Sequence, residues 1–399
     1  MRRNIYSPGA GHQPPLLVGR ETQLTSWELM LDELAFRGRV GARDLLLTGP
    51  RGVGKTVLMS RFIDSSRRAG YEIISYQPAV KQAGLVASVV ARAAERLDAQ
   101  SGTWGKVRRS FENLAGVTLG AGGLSATLSL RQAPANTLTN DPSEVAAALA
   151  ALADAARDEK PTGGVLLAID ELQVAADPDL SFLAVVLQRL NVDHPDARVA
   201  FVATALPHVY AVLASAGVTH PDRLFPSERI PVALPHQEAT SAIVTPAMQA
   251  GVVWDPEAAA AIVASSNGYP AHLQLMASHT WDNAADGTTT LSIRDARTGI
   301  AAALASIEVS NFAEIWDKLP DAQRRYLHAL ANLGGEARTS ELVDALQARR
   351  ASDLSYQRDE LLQRGVIHSP RYGTVALTTP AMAGYITARP MAELSAPDA

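Results

Sequence analysis

The apolar positions along this chain change period several times, and each change marks a different kind of element. Short, nearly uninterrupted apolar runs occur at 44–48, 72–76, 165–169, 198–203 and 229–233. Runs of this length, rich in Leu, Ile and Val, read as strands buried on both faces. Helical patterns lie among them at 55–69, 83–97, 143–158 and 179–191. Asp141-Pro142-Ser143-Glu144 is a helix-start signal, because Asp caps the free N–H groups and proline tolerates the first turn. Ahead of the first strand, Leu24, Trp27, Leu31 and Leu34 share one face of a further helix. Strands alternating with helices predict a parallel α/β sheet.

The rhythm is broken once within this region and changes twice after it. Over 101–140, Val117, Leu119 and Ala121 alternate with small polar residues. After Gly122-Gly123, Leu124, Ala126, Leu128 and Leu130 do the same, which predicts a two-stranded hairpin. Its apolar face needs cover, either as a flap on its own domain or as a contact surface for another subunit or effector. From 238 to 305 the pattern is helical only. Beyond 310 it predicts helices at 321–333, 339–347 and 353–364. Val366-Ile367-His368 and Thr374-Val375-Ala376-Leu377 then bracket a turn containing Arg371, predicting a hairpin.

Composition narrows the class. Apolar residues make up 47% and charged residues 19% of 399 residues, as expected of a soluble globular chain with two or three domains. There is no cysteine, which excludes disulfides and thiolate metal sites and predicts a reducing, cytoplasmic setting. Arg2-Arg3 is followed by Pro- and Gly-rich sequence rather than an apolar segment, so residues 1–15 are expected to form a flexible tail. No run reaches membrane-spanning length, so no membrane partner is expected. A net charge of −5 argues against the whole protein being an electrostatic nucleic-acid binder.

Candidate chemistry concentrates at Gly49-Pro50-Arg51-Gly52-Val53-Gly54-Lys55-Thr56, between the first apolar strand and the helix that runs on through Val57. This is G-x-x-x-x-G-K-[ST], the phosphate-binding P-loop. Gly52 and Gly54 let the backbone curl so that N–H groups converge on phosphate oxygens, and the helix N-terminus adds partial positive charge. Lys55 is expected on the β- and γ-phosphates and the Thr56 hydroxyl on Mg²⁺. The strand at 165–169 ends in Asp170-Glu171. Asp170 is expected to hold Mg²⁺ and Glu171 to polarise the attacking water. The next strand ends in Thr204, placed either to hold water or the γ-phosphate, or simply to satisfy backbone groups.

The P-loop, the acid strand, Thr204 and the opening Leu17-Val18-Gly19-Arg20-Glu21 together resemble an AAA+ ATPase. The likeness is to the origin-recognition-like and archaeal-ATPase-like branch, which borders the STAND signalling ATPases. It spans residues 16–305 and extends more weakly over 306–390. The resemblance implies 16–235 as an α/β ATPase domain carrying the 101–140 insertion, 236–308 as a helical lid and 309–390 as a winged helix; residues 391–399 read as a loose tail. It further implies Val18 and Gly19 beside adenine, braced by Arg20 and Glu21. Arg223 would be an arginine finger reaching a neighbouring subunit's nucleotide in a homo-oligomer; an ion pair with Asp222 or Glu228 is the alternative. Asn267-Gly268-Tyr269-Pro270-Ala271-His272 resembles the start of the sensor 2 lid helix. Such lids often offer arginine where this chain has Ala271 and His272, so His272 becomes the nucleotide contact and turnover is expected to be slow.

Three helices and a hairpin after residue 316 resemble a winged helix, whose third helix enters the major groove of DNA. Arg349, Arg350, Arg358 and Arg371 are candidate phosphate contacts, whereas Asp353, Asp359 and Glu360 oppose them. Over 317–389, 10 Lys/Arg against 8 Asp/Glu leave +2. The module therefore reads either as a modest DNA binder or as a protein-contact element.

Overall fold

The computed structural model describes residues 3–9, 11–37, 43–82, 84–85, 88–89, 92, 141–307, 316–371, 373–379 and 382–389. The hairpin expected at 101–140, most of the helix expected at 83–97 and the 391–399 tail lie outside the described residues. The chain divides into two compact units. One comprises residues 20–48 and 55–230, the other residues 1–19, 49–54 and 231–399.

The first unit is built on a parallel sheet of β1 (Asp44–Thr48), β2 (Tyr71–Tyr76), β3 (Gly164–Ile169), β4 (Val199–Ala205) and β5 (Ser227–Arg229), in the order β2-β3-β4-β1-β5. Every residue of β3 and β4 is buried, which is why both read as continuous apolar runs rather than alternating ones. The surrounding helices are α1 (Glu21–Arg37), α2 (Lys55–Ala69), α3 (Pro142–Glu159), α4 (Asp177–Asp193), α5 (Val209–Ser215) and the single turn α6 (Pro221–Leu224). α3 starts as its signal predicts: Asp141 accepts the Ser143 N–H at 2.8 Å, with Pro142 in the first turn. α1 is fixed to α2 by Trp27, whose ring stacks on Phe62 at 4.6 Å and whose N–H donates to Ser66 Oγ at 3.1 Å. The last strand was expected at 229–233 but spans Ser227–Arg229. Ile230 N–H still donates to Thr48 O at 2.7 Å.

The second unit holds two clusters of helices. The first contains α7 (His236–Gln249), α8 (Pro256–Ser266), α9 (Pro270–Asn283) and α10 (Ile293–Ile307). The helix-only expectation misses a two-residue parallel bridge here, β6 (Val253–Trp254) with β7 (Thr290–Leu291). The flexible-tail expectation for residues 1–15 is also overturned at its start. Tyr6 is buried in this cluster, donates to Ile243 O at 2.7 Å and accepts from Trp254 Nε1 at 2.9 Å. Asn4 Nδ2 donates to Ser278 Oγ at 2.9 Å.

The second cluster contains α11 (Asp321–Asn332), β8 (Glu336–Arg338), α12 (Thr339–Ala345), α13 (Ser355–Gln363), β9 (Ile367–His368), β10 (Thr374–Leu377) and α14 (Met382–Thr387). The expected hairpin strands pair antiparallel, and β8 adds to the far side of β10, giving the order β8-β10-β9. Glu-Ala-Arg offers one apolar side chain in three, too little periodicity to announce β8 in the sequence. Tyr326, Leu327, Leu330, Leu342, Leu361 and Ile386 lie in its core.

Candidate functional site

In the first unit, the sheet topology separates β1 from β3 by β4, so the acid strand does not neighbour the strand that precedes the glycine turn. Its acidic end still reaches the first turn of α2. Thr56 Oγ1 lies 3.1 Å from Asp170 Oδ1 and 3.2 Å from Oδ2. Lys55, one residue earlier, is 5% exposed. The end of the intervening β4 supplies Thr204, fully buried, whose hydroxyl donates to Asp170 Oδ1 and accepts the Glu171 N–H at 2.9 Å. Thr204 thus satisfies a backbone group, as one of its two readings had it, and also binds the neighbouring carboxylate.

Glu171 occupies the left-handed region at φ 54°. For a non-glycine residue that costs about 1 kcal/mol or more, and the bond from its N–H to Thr204 helps hold it there. Its side chain accepts from Gln173 Nε2 at 2.5 Å, and Gln173 Oε1 accepts the Leu206 N–H at 3.1 Å. Sequence reasoning missed Gln173. The signal for it was a lone polar residue between Leu172 and Val174, two residues past the acid pair Asp170-Glu171.

Arg223 sits on α6 and is exposed. Among the described residues it forms no ion pair with Asp222 or Glu228, so the structure does not contain the alternative role considered for it.

In the second unit, the glycine turn has Gly52 at φ 79° and Gly54 at φ 93°, backbone that L side chains rarely adopt. A Cβ at Gly52 would also meet Tyr269 Oη at 2.8 Å and Ala271 Cβ at 2.9 Å. Tyr269 donates its hydroxyl proton to Arg51 O, and burial pushes its pKa up to about 12. Tyr269, quoted in the sequence only as part of a lid-helix start, is therefore an anchor of this turn. His272 packs edge-on against Tyr269 at 4.7 Å and is 5% exposed. Burial pushes its imidazole down to about 4, so it is neutral near pH 7 and does not stand in for an arginine's charge. Gly19 has φ 66°, and a Cβ there would lie 2.0 Å from Glu238 Oε2. Val18 packs beside it against the α7–α10 core.

The exposed Arg350 and Arg371 and the half-buried Arg358 each meet a carboxylate: Asp353 at 3.4 Å, Glu336 at 3.1 Å and Asp359 at 3.0 Å respectively. Arg349 is exposed. Among the described residues, no helix is long and apolar enough to cross a membrane.

The donor chemistry fits the groups the motif implies. A hydroxyl and a carboxylate within 3.2 Å are hard oxygen donors of the kind Mg²⁺ takes. The left-handed glycines provide the curled backbone that a phosphate requires.

Comparison with known proteins gives these features a family context. Residues 16–202 match the AAA ATPase domain, and residues 309–386 match a domain of unknown function, DUF8462. No curated protein matches the chain. Among solved structures, the ORC2 protein of Aeropyrum pernix in its ADPNP–ADP complexes is 16% identical, with a TM-score of 0.58 and 95% of both chains covered. A Walker-type ATPase of Pyrococcus abyssi is 15% identical, with a TM-score of 0.58, covering 93% of this chain and 96% of its own. Identities this low establish a shared fold.

Proposed function

We propose that this chain, which carries an AAA ATPase domain over residues 16–202, binds ATP with Mg²⁺, hydrolyses it slowly, and uses the nucleotide state to control DNA binding. The observation that carries the ATPase reading is the contact between Thr56 Oγ1 and Asp170 Oδ1 at 3.1 Å, in the turn where Lys55 opens α2. Backbone N–H groups of the turn from Gly49 to Thr56, continuing into Val57, would cradle phosphate oxygens, and the Lys55 ammonium would pair with the β- and γ-phosphates. Thr56 and Asp170 would hold Mg²⁺, which supplies charge neutralisation at those oxygens. Glu171 would take a proton from the attacking water on its carboxylate. Val18, Gly19 and the neutral His272 would contact the nucleotide. Arg223 would act in trans within a homo-oligomer, stabilising charge on a neighbour's nucleotide.

Titration calorimetry with ATP and Mg²⁺ tests the binding step: Lys55→Ala should lose affinity by at least about tenfold, because a direct phosphate cation is removed. Glu171→Gln should bind ATP normally and turn over at least ~100-fold more slowly, the scale of a lost general base. Unchanged affinity in the first variant would overturn the site, and unchanged turnover in the second would overturn the catalytic assignment.

For DNA, the supporting observation is the order α11–β8–α12–α13–β9–β10, the helix–strand sequence of a winged helix. In that reading α13 would enter the major groove, and Arg349, Arg350, Arg358 and Arg371 would touch phosphates. A second reading, a STAND-like signalling switch whose nucleotide state governs assembly, is favoured by the carboxylates at Asp353, Asp359 and Glu336 beside three of those guanidiniums. Fluorescence anisotropy with duplex DNA across a salt series separates the two. Steep salt dependence that flattens by about one unit of slope per lost contact in an Arg358→Ala, Arg371→Ala double variant supports DNA binding. No binding with ATP at low salt leaves the signalling switch.

A further inference from the structure

Gln173 is a buried polar side chain beside the acid turn that the proposed mechanism leaves without a task. It is 6% exposed, and both ends of its carboxamide are engaged. Chemistry alone dictates which end goes where. A backbone N–H can only donate, so the Leu206 amide must face the carboxamide oxygen. The NH₂ must then face Glu171, whose carboxylate can only accept. The two contacts lock each other, and neither a flipped Gln173 nor a freely rotating Glu171 carboxylate keeps both.

We infer that Gln173 is a positioning residue for Glu171. It holds Oε2 and fixes the plane of the carboxylate, leaving Oε1 as the oxygen that accepts the proton from water. A general base works only within hydrogen-bond reach and in the right orientation, so a freely turning carboxylate loses rate while leaving nucleotide affinity intact. The lock also reaches past Glu171. Leu206 begins the segment that leaves β4 and leads through α5 and α6 to Arg223. Gln173 therefore ties the orientation of Glu171 to the strand end from which the exposed arginine departs. This role rests on the reading of Glu171 as the base.

The diagnostic variant is Gln173→Glu, which keeps shape and the acceptor for Leu206 but turns the donor toward Glu171 into a second carboxylate. In the full-length chain it should lower kcat at least about tenfold at pH 7 while ATP affinity by calorimetry stays within about twofold. Two carboxylates competing for one proton should move the acid limb of the kcat–pH profile upward by about one unit or more. In nucleotide-free protein, its urea midpoint should fall. Combining it with Glu171→Gln exchanges donor and acceptor, so the midpoint should recover while hydrolysis does not. Gln173→Ala should slow wild-type turnover yet add nothing in the Glu171→Gln background, because one residue acts through the other. If Glu171→Gln is inactive but Gln173→Glu keeps wild-type kcat and pH profile, or if the exchange does not recover the midpoint, the positioning role is wrong. If Glu171→Gln hydrolyses ATP at the wild-type rate, the base assignment itself falls and takes the positioning role with it.

Discussion

Two buried ionisable residues pull the pH dependence of stability in opposite directions. Burial pushes His272 down from its ordinary 6.5 to about 4. Between those values the unfolded chain holds a proton that the folded chain refuses, so stability falls as pH drops through that window. Asp44 behaves in the reverse sense. Burial raises it from 3.8 to about 6 despite the Asn191 hydrogen bond at 3.0 Å and the neighbouring Arg43. The folded chain keeps that proton where the unfolded chain has lost it, so stability present below about 4 is lost as pH rises through about 6. Asp44→Asn keeps an acceptor for Asn191 and removes the buried charge. It should therefore stabilise the protein at pH 7.5 by roughly 1–3 kcal/mol and lose that advantage below pH 4, measured by urea unfolding at both pH values. His272→Gln should flatten the loss of melting temperature between about pH 6.5 and 4. An unchanged slope would mean that the imidazole is hydrated in solution.

At the scale of elements, the N-terminal segment was least legible. Proline and glycine around it suppress any periodic signal, yet Tyr6 is 4% exposed and lies edge-on to Trp254 and Trp281 at 6.4 and 5.7 Å. Its hydroxyl bridges the Ile243 carbonyl and the Trp254 indole. Removing the hydroxyl strands a buried donor and a buried acceptor, so Tyr6→Phe should cost about 1–3 kcal/mol. Tyr6→Ala removes the ring too and should cost about 3–5 kcal/mol. Chemical denaturation followed by tryptophan fluorescence reads both, since Trp254 and Trp281 flank the site. β8 is the same problem in miniature: three residues that become a strand only because β10 offers an unpaired edge.

For the whole molecule, the role in trans proposed for Arg223 would make turnover depend on a second copy. Arg223→Ala should bind ATP but lose turnover, and Lys55→Ala should lose binding. Mixed, the two should regain part of the activity, because some interfaces pair an intact Lys55 site with an intact Arg223. Turnover over a range of mixing ratios, with assembly followed by light scattering, checks this. No recovery despite intact assembly would assign Arg223 another role.

The P-loop spacing, the apolar strand ending in Asp170-Glu171 and the strand–helix alternation were enough to predict the parallel sheet and to select the residues at its ends. They could do so because phosphate cradles and doubly buried strands need particular residue types at fixed local spacings. Local spacing carries no information about which strand lies beside which. The placement of β4 between β1 and β3, the double engagement of Thr204 and the Gln173 link to Leu206 come from strand order and register. The same holds for charge. His272 is a titratable residue in the sequence, and only the packing around it removes the water its cation would need.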